Sequence, residues 1–147
     1  MSEIRHSLEI EAPADVVFDA VATKGGLAGW WTRDVELVGV VRSVWTFRFR
    51  SGSFNSMRVA RAERGAVIEW ECVDGHLEWF GTSVEFRLTE EEGRTRVNFR
   101  HSNWRETTRF MRECDEHWGA YMQSLKSYCE TGAGSPDPGP ELAPGPG

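Results

Sequence analysis

Four histidines and three cysteines are the side chains best suited to metal or nucleophilic chemistry in this chain. His6, His76, His101 and His117 form no pair at helical ligand spacing, and no H-E-x-x-H or paired-cysteine spacing accompanies them. A metal centre is therefore not expected. Cys114 and Cys129 lie fifteen residues apart in one helical stretch, too far along its axis to share an ion. No G-x-S-x-G elbow or P-loop occurs, and Cys72, Cys114 and Cys129 read as small buried hydrophobes. No catalytic residue, metal ligand or cofactor is assigned.

His101 is the most informative polar residue. Its alternation places it inward with Val97 and Phe99. One reading makes it a polar handle in a cavity, or the general acid/base of a cyclase-type reaction. The other makes it a core histidine satisfied by a backbone group or in the neighbourhood of Trp104. Asp115, at the flank of a helical stripe, is expected in solvent.

The aromatic residues suggest binding. Seven tryptophans in 147 residues imply an interior of large rings. Trp45, Phe47, Trp70, Phe99, Trp118 and Met122 should converge between a sheet and a helix, with Met57 on an inward parity beside them. Together with His101 and Trp31 these are the candidate ligand-binding residues, since small-molecule pockets are mostly apolar with few placed polar groups. Of Trp30 and Trp31, one should anchor a short helix and the other cap a cavity mouth or present a ring to a partner. Gly25 and Gly26 would give such a lid mobility. A core packed shut by the same rings is the competing reading.

The elements that must position these residues follow from periodicity. Ile4, His6, Leu8 and Ile10 share one parity of a half-buried strand. Pro13 then opens a helix with Val16, Val17, Phe18 and Val21 on its apolar side, which Gly25 and Gly26 should break. Period-2 runs follow at Trp45–Phe49, around Met57 and Val59, at 68–72, at 80–88 and at 97–101. Turn signals separate them at Ser51-Gly52, Arg64-Gly65, Asp74-Gly75 and Glu92-Gly93. Such links read as an antiparallel meander with one wet face. From about Arg105 to Glu130 the period becomes 3.6, with Met111, Cys114, Trp118, Tyr121, Met122, Leu125 and Cys129 on one stripe. Gly132 is the expected stop. The concave face of the sheet is the one apolar surface large enough for this helix.

Composition sets the outer limits. The chain is 39% hydrophobic, with a formal net charge of -6 and a mean hydropathy of -0.48. Net acidity argues against nucleic acid, whose phosphates need a basic face. No apolar run approaches the roughly 18–20 residues of a membrane span. The odd cysteine count and the absence of a secretory leader pattern suggest the cytoplasm. The expected organisation is one domain over 1–131 followed by a disordered Gly/Pro-rich tail over 132–147.

Three segments carry a family resemblance: APADVVFDAVATKGGLAGWWT near the start, VNFRHSNW at a strand end, and HWGAYMQSLKSYCETGAGSP near the C-terminus. They resemble the START-like (Bet v1-like) helix-grip superfamily and, within it, the activator of Hsp90 ATPase homologue family, over roughly residues 3–135. The resemblance implies an α+β fold whose curved antiparallel sheet wraps a long C-terminal helix, with a hydrophobic cavity between them. The expected function is non-catalytic binding of a small hydrophobic or aromatic molecule. A polyketide cyclase or aromatase using His101 is the first alternative. A co-chaperone-like protein-binding module is the second, disfavoured because this length leaves no room for the additional N-terminal domain that the role implies. Self-association as a homodimer stays open.

Overall fold

The computed structural model describes residues 2–38 and 44–139. The chain runs β1 (Ser2–Ile10), α1 (Ala14–Ala22), α2 (Lys24–Trp30), β2 (Asp34–Val38), β3 (Val44–Arg48), β4 (Phe54–Glu63), β5 (Val67–Gly75), β6 (Ser83–Glu91), β7 (Arg94–Trp104) and α3 (Arg109–Thr131). The strands form one sheet of order β1-β7-β6-β5-β4-β3-β2, antiparallel at every pairing. This is the helix-grip architecture that the shift of period near Arg105 implies.

Alternation decides which rings go inside. Trp45 and Phe47 in β3, Ile68 and Trp70 in β5, Val84 and Phe86 in β6, and Val97, Phe99 and His101 in β7 are all buried. The glutamates and arginines between them face outward and pair across strands, as Arg58 does with Glu71 and Arg100 with Glu85. The turn between β6 and β7 has positive φ at both Glu92 (53°) and Gly93 (79°), which the tight primed hairpin turn demands.

Four local expectations are corrected. Gly25 and Gly26 do not break a helix. Thr23 ends α1 and caps α2 by accepting from Gly26 N at 3.0 Å, and Gly26 is there for closeness: a Cβ would come within 2.5 Å of the Asp19 carbonyl on α1. Asp74-Gly75 is no turn, since both residues end β5 and pair with Ser56 and Asn55. Phe80 is not an inward strand residue. It sits in the β5–β6 connection and is exposed, while Trp79 beside it is buried. Finally α3 begins at Arg109, not Arg105, because Thr108 accepts from Met111 N at 3.1 Å. Gly132 ends it at a φ of 86°, as expected.

The tail does not leave the surface at residue 132. Ser124 Oγ on α3 accepts from Ser135 N at 2.7 Å. Asp137 then pairs in a parallel bridge with Thr32, accepting from Arg33 N at 2.9 Å and donating to the Trp31 carbonyl at 2.8 Å. The strap fits because it is small where it crosses the helices: a Cβ on Gly134 would lie 2.5 Å from the Gly29 carbonyl. Backbone hydrogen bonds thus offset the ordering entropy that composition alone could not. The remainder of the expected disordered tail, 140–147, lies outside the described residues.

Candidate functional site

Most of the aromatic set closes on itself. Trp31, at the end of α2, inserts between sheet and α3. Its ring lies 4.1 Å from Phe47, 5.1 Å from Trp118 and 5.8 Å, nearly parallel, from Trp70. Trp70 in turn meets Phe86 at 5.3 Å, and Phe99 meets Trp118 at 4.5 Å. Trp45, Met57 and Met122 are buried in the same core. Trp30 stacks on Trp31 at 6.0 Å and meets Phe86 edge-on at 6.0 Å, and its indole anchors α2 by donating to the Ala20 carbonyl at 2.7 Å. Both rings are buried.

His101 belongs to this closed core. The indole N–H of Trp118 donates to its Nδ1 at 3.1 Å, which leaves the proton on Nε2. Nε2 donates to Thr82 Oγ1 at 2.8 Å, and Thr82 passes its own hydrogen to the Trp79 carbonyl at 2.6 Å. Every polar atom in this chain of bonds is used. Burial lowers the imidazole to about 3, since a charged ring would be stranded in an apolar interior. The structure places His101 as a fully buried, neutral, doubly bonded imidazole in the core, outside the lining of the cavity described below. Its partners are Trp118 and Thr82, not a backbone group, although Trp104 does lie against the ring at 4.7 Å. Asp115, exposed, pairs with His6 Nε2 at 2.8 Å.

A cavity nevertheless exists, displaced toward the N-terminal half of α3. It has a volume of about 370 Å³ and is partly open to solvent. Helix α3 supplies Phe110, Cys114, His117, Trp118 and Tyr121 as one wall. The turn between β3 and β4, with the start of β4, supplies Phe49, Ser51, Ser53, Phe54 and Asn55 as another. His76 and Trp79 close it from the β5–β6 connection, and Trp31 and Asp137 form its floor and rim. Of the nine candidate residues, Trp31 and Trp118 line it. Trp45, Phe47, Met57, Trp70, Phe99, His101 and Met122 do not.

Local structure explains the walls. The β3–β4 turn is closed by Phe49 N donating to Ser53 O at 3.0 Å, with Gly52 at a φ of 92°. The β5–β6 connection coils so that Trp79 N and Phe80 N both donate to the His76 carbonyl. Arg105 ties it down by donating to the carbonyls of Leu77 and Phe80. The His76 and Phe110 rings stack at 3.8 Å, 8° from parallel. Trp79 donates to Cys114 Sγ at 3.4 Å. Burial pushes the Cys114 thiol up to about 11, which leaves it un-ionised and poorly nucleophilic.

Asn55 is the polar feature that sequence reasoning missed. It faces the concave side opposite Phe47 and beside Gly75, is only 6% exposed, and its Oδ1 finds no hydrogen-bond partner among the described residues. A buried acceptor left alone costs about 1–3 kcal/mol, so its position in a cavity wall marks a place for a donor. Gly75 makes that position attainable. A Cβ there would lie 2.8 Å from the Phe54 carbonyl and 2.9 Å from Asn55 Cα, at a φ of 132°. Asn55 has no hydrophobic signal, and Asp137 sits in Gly/Pro-rich sequence, so neither was visible to periodicity. Tyr121 and Cys114 were on the α3 stripe and Phe49 on the β3 parity; Trp79 was hidden by the misplaced strand start.

A second hollow of about 210 Å³ lies among Glu9, Thr89, Glu91, Glu92, Arg94 and Arg96. Its arginines pair with Glu9 and Glu11. Among the described residues, no group of three metal-ligand side chains occurs, and no helix is long and apolar enough to cross a membrane.

A search of curated proteins finds no match. CalU16 from Micromonospora echinospora is 19% identical with a TM-score of 0.71, covering 95% of this chain and 78% of that one. DynU16, of the dynemicin biosynthetic locus, is 20% identical with a TM-score of 0.74, covering 91% of this chain and 49% of that one. At these identities the likeness concerns the fold. The Aha1 dimer from Colwellia psychrerythraea is similar at 36% identity and a TM-score of 0.82, covering 91% of this chain and 100% of that one. The model of the family described as Activator of Hsp90 ATPase homolog 1-like protein matches residues 11–130, and the chain belongs to that family.

Proposed function

We propose that this protein binds a small, largely aromatic molecule in the cavity between α3, the β3–β4 turn and the β5–β6 connection, without turning it over. The observation that carries this reading is the buried, unpartnered Asn55 Oδ1 in a wall made mostly of rings. Burying an apolar ligand against those rings gains roughly 25 cal/mol per Å² removed from water. A donor on the ligand would satisfy Asn55 and fix its orientation. The cyclase alternative loses its acid/base group with His101.

The test is a titration with neutral naphthalene-2-methanol, followed by tryptophan fluorescence. Saturable one-to-one binding, weakened by Asn55→Leu and by Cys114→Phe, which fills the cavity from α3, supports the reading. Absence of saturable binding to the wild type overturns it.

A second reading concerns the rim. Phe54 is 41% exposed, Phe80 53% and Leu77 80%, and all three border or flank the mouth. With a 36% identical relative described as a dimer, this apolar rim favours self-association of two copies through the mouth. Sedimentation of the wild type against Leu77→Asp/Phe80→Asp tests it; identical monomer-like behaviour at all concentrations would overturn it. The same rim is where a co-chaperone-like partner would dock. A cytoplasmic setting, the natural one for three unpaired thiols, belongs to this proposal.

A further inference from the structure

The charge in the cavity wall narrows the ligand further, and this step rests on the binding reading above. The residues lining it include no lysine and no arginine, and Asp137 is their one carboxylate. Anionic ligands such as fatty acids would meet no fixed cation there and would face that carboxylate. Asp137 is also held firmly. Its backbone is bonded on both sides in the bridge to Thr32, and its Oδ1 accepts from Arg50 N at 2.8 Å and Gly139 N at 2.9 Å. Among the described residues it forms no ion pair, unlike Asp15, Asp19, Asp34 and Asp115. Its field reaches the cavity. The Tyr121 phenol is pushed up to about 12, first by burial and then by the Asp137 charge.

Trp79, Trp118, Tyr121 and the edge of the buried Trp31 line the cavity together with this carboxylate. Aromatic faces attract cations through the ring quadrupole, most strongly where water is excluded. An unpaired carboxylate, aromatic rings and an orphan acceptor at Asn55 together complement a cation that also donates hydrogen bonds. We infer that the cavity selects an organic cation: an aromatic molecule bearing a protonated amine, whose N–H groups satisfy the acceptors while its charge faces Asp137 and the rings.

Three probes with one naphthalene skeleton test this: 2-naphthylmethylammonium, naphthalene-2-methanol and 2-naphthoate. They are titrated at about pH 8, where a primary ammonium and a carboxylate are both charged. The ammonium probe is expected to bind at least about tenfold more tightly than the carboxylate. Asp137→Asn should collapse that gap, and the asparagine Oδ1 still accepts from Arg50 and Gly139 so that the strap keeps its place. Raising salt should weaken only the ammonium probe. Carboxylate binding equal to ammonium binding, or a gap that survives Asp137→Asn, overturns the inference while neutral binding keeps the wider reading. Failure of all three probes overturns both.

Discussion

Trp118 and His101 are joined by an indole N–H that donates to imidazole Nδ1 at 3.1 Å, in a core where both residues are buried. The bond couples the long helix to the last strand, and it fixes the imidazole as neutral. Burial lowers His101 from 6.5 to about 3. The unfolded chain takes up this proton as pH falls through the ordinary value; the folded chain does not until about pH 3. The contribution of His101 to stability is therefore complete above the unfolded value and declines as pH falls toward the folded one. The slope reaches at most about 1.4 kcal/mol per pH unit. Urea unfolding of the wild type and His101→Gln between about pH 7 and pH 5 should give a steeper loss for the wild type. Parallel slopes would show that His101 titrates like an exposed histidine.

Trp118→Ala should cost ~3 kcal/mol, the lower end for a buried tryptophan. One side of the ring already adjoins the cavity, so fewer packing contacts are lost than in a filled core. A loss under about 1 kcal/mol, typical of a surface position, would place the wrong face of α3 against the sheet.

The fold was legible because it depends on parity and period. Ile68, Trp70 and Cys72 alternate with glutamates, and Trp118 and Met122 fall on one stripe, whatever the tertiary details. The site was not legible because it depends on how one ring fills space. Trp31 plugs the middle of the gap and makes Trp70, Phe99 and His101 core residues, leaving room only beyond Trp118. Nothing local in Gly-Trp-Trp-Thr encodes that insertion; it follows from where α2 is seated. Asp137 was illegible for a different reason, since its strap is held by backbone bonds and not by apolar burial.

Gly75→Ala should lower stability by roughly 1–3 kcal/mol, from strain at a φ most side chains avoid. It should also weaken naphthalene-2-methanol binding, because the added methyl would push on Asn55. Thermal unfolding and the same titration check the two effects together. A variant as stable and as tight as the wild type would mean that the approach of Gly75 to β4 does not position Asn55.

Ser124 Oγ donates to the Trp30 carbonyl at 2.8 Å and accepts from Ser135 N at 2.7 Å. Ser124→Ala removes both bonds and should cost about 1–3 kcal/mol. The cost should appear locally as faster hydrogen exchange at Ser135 and Asp137. Unchanged exchange there would show that the bridge to Thr32 holds the strap by itself.

Trp31→Ala is the most direct test of the plug. The indole is 1% exposed and touches Phe47, Trp70 and Trp118, so its removal should cost roughly 3–5 kcal/mol. The space released adjoins the existing cavity and should join it, extending the cavity under β3 and β5. Size selectivity should then change. The wild type should favour naphthalene-2-methanol over pyrene-1-methanol, and the variant should narrow or reverse that order. Trp31→Phe, which keeps most of the plug, should stay near the wild type in both stability and preference. Equal discrimination by wild type and Trp31→Ala, with the variant folded by circular dichroism, would show that Trp31 does not set the inner boundary of the cavity.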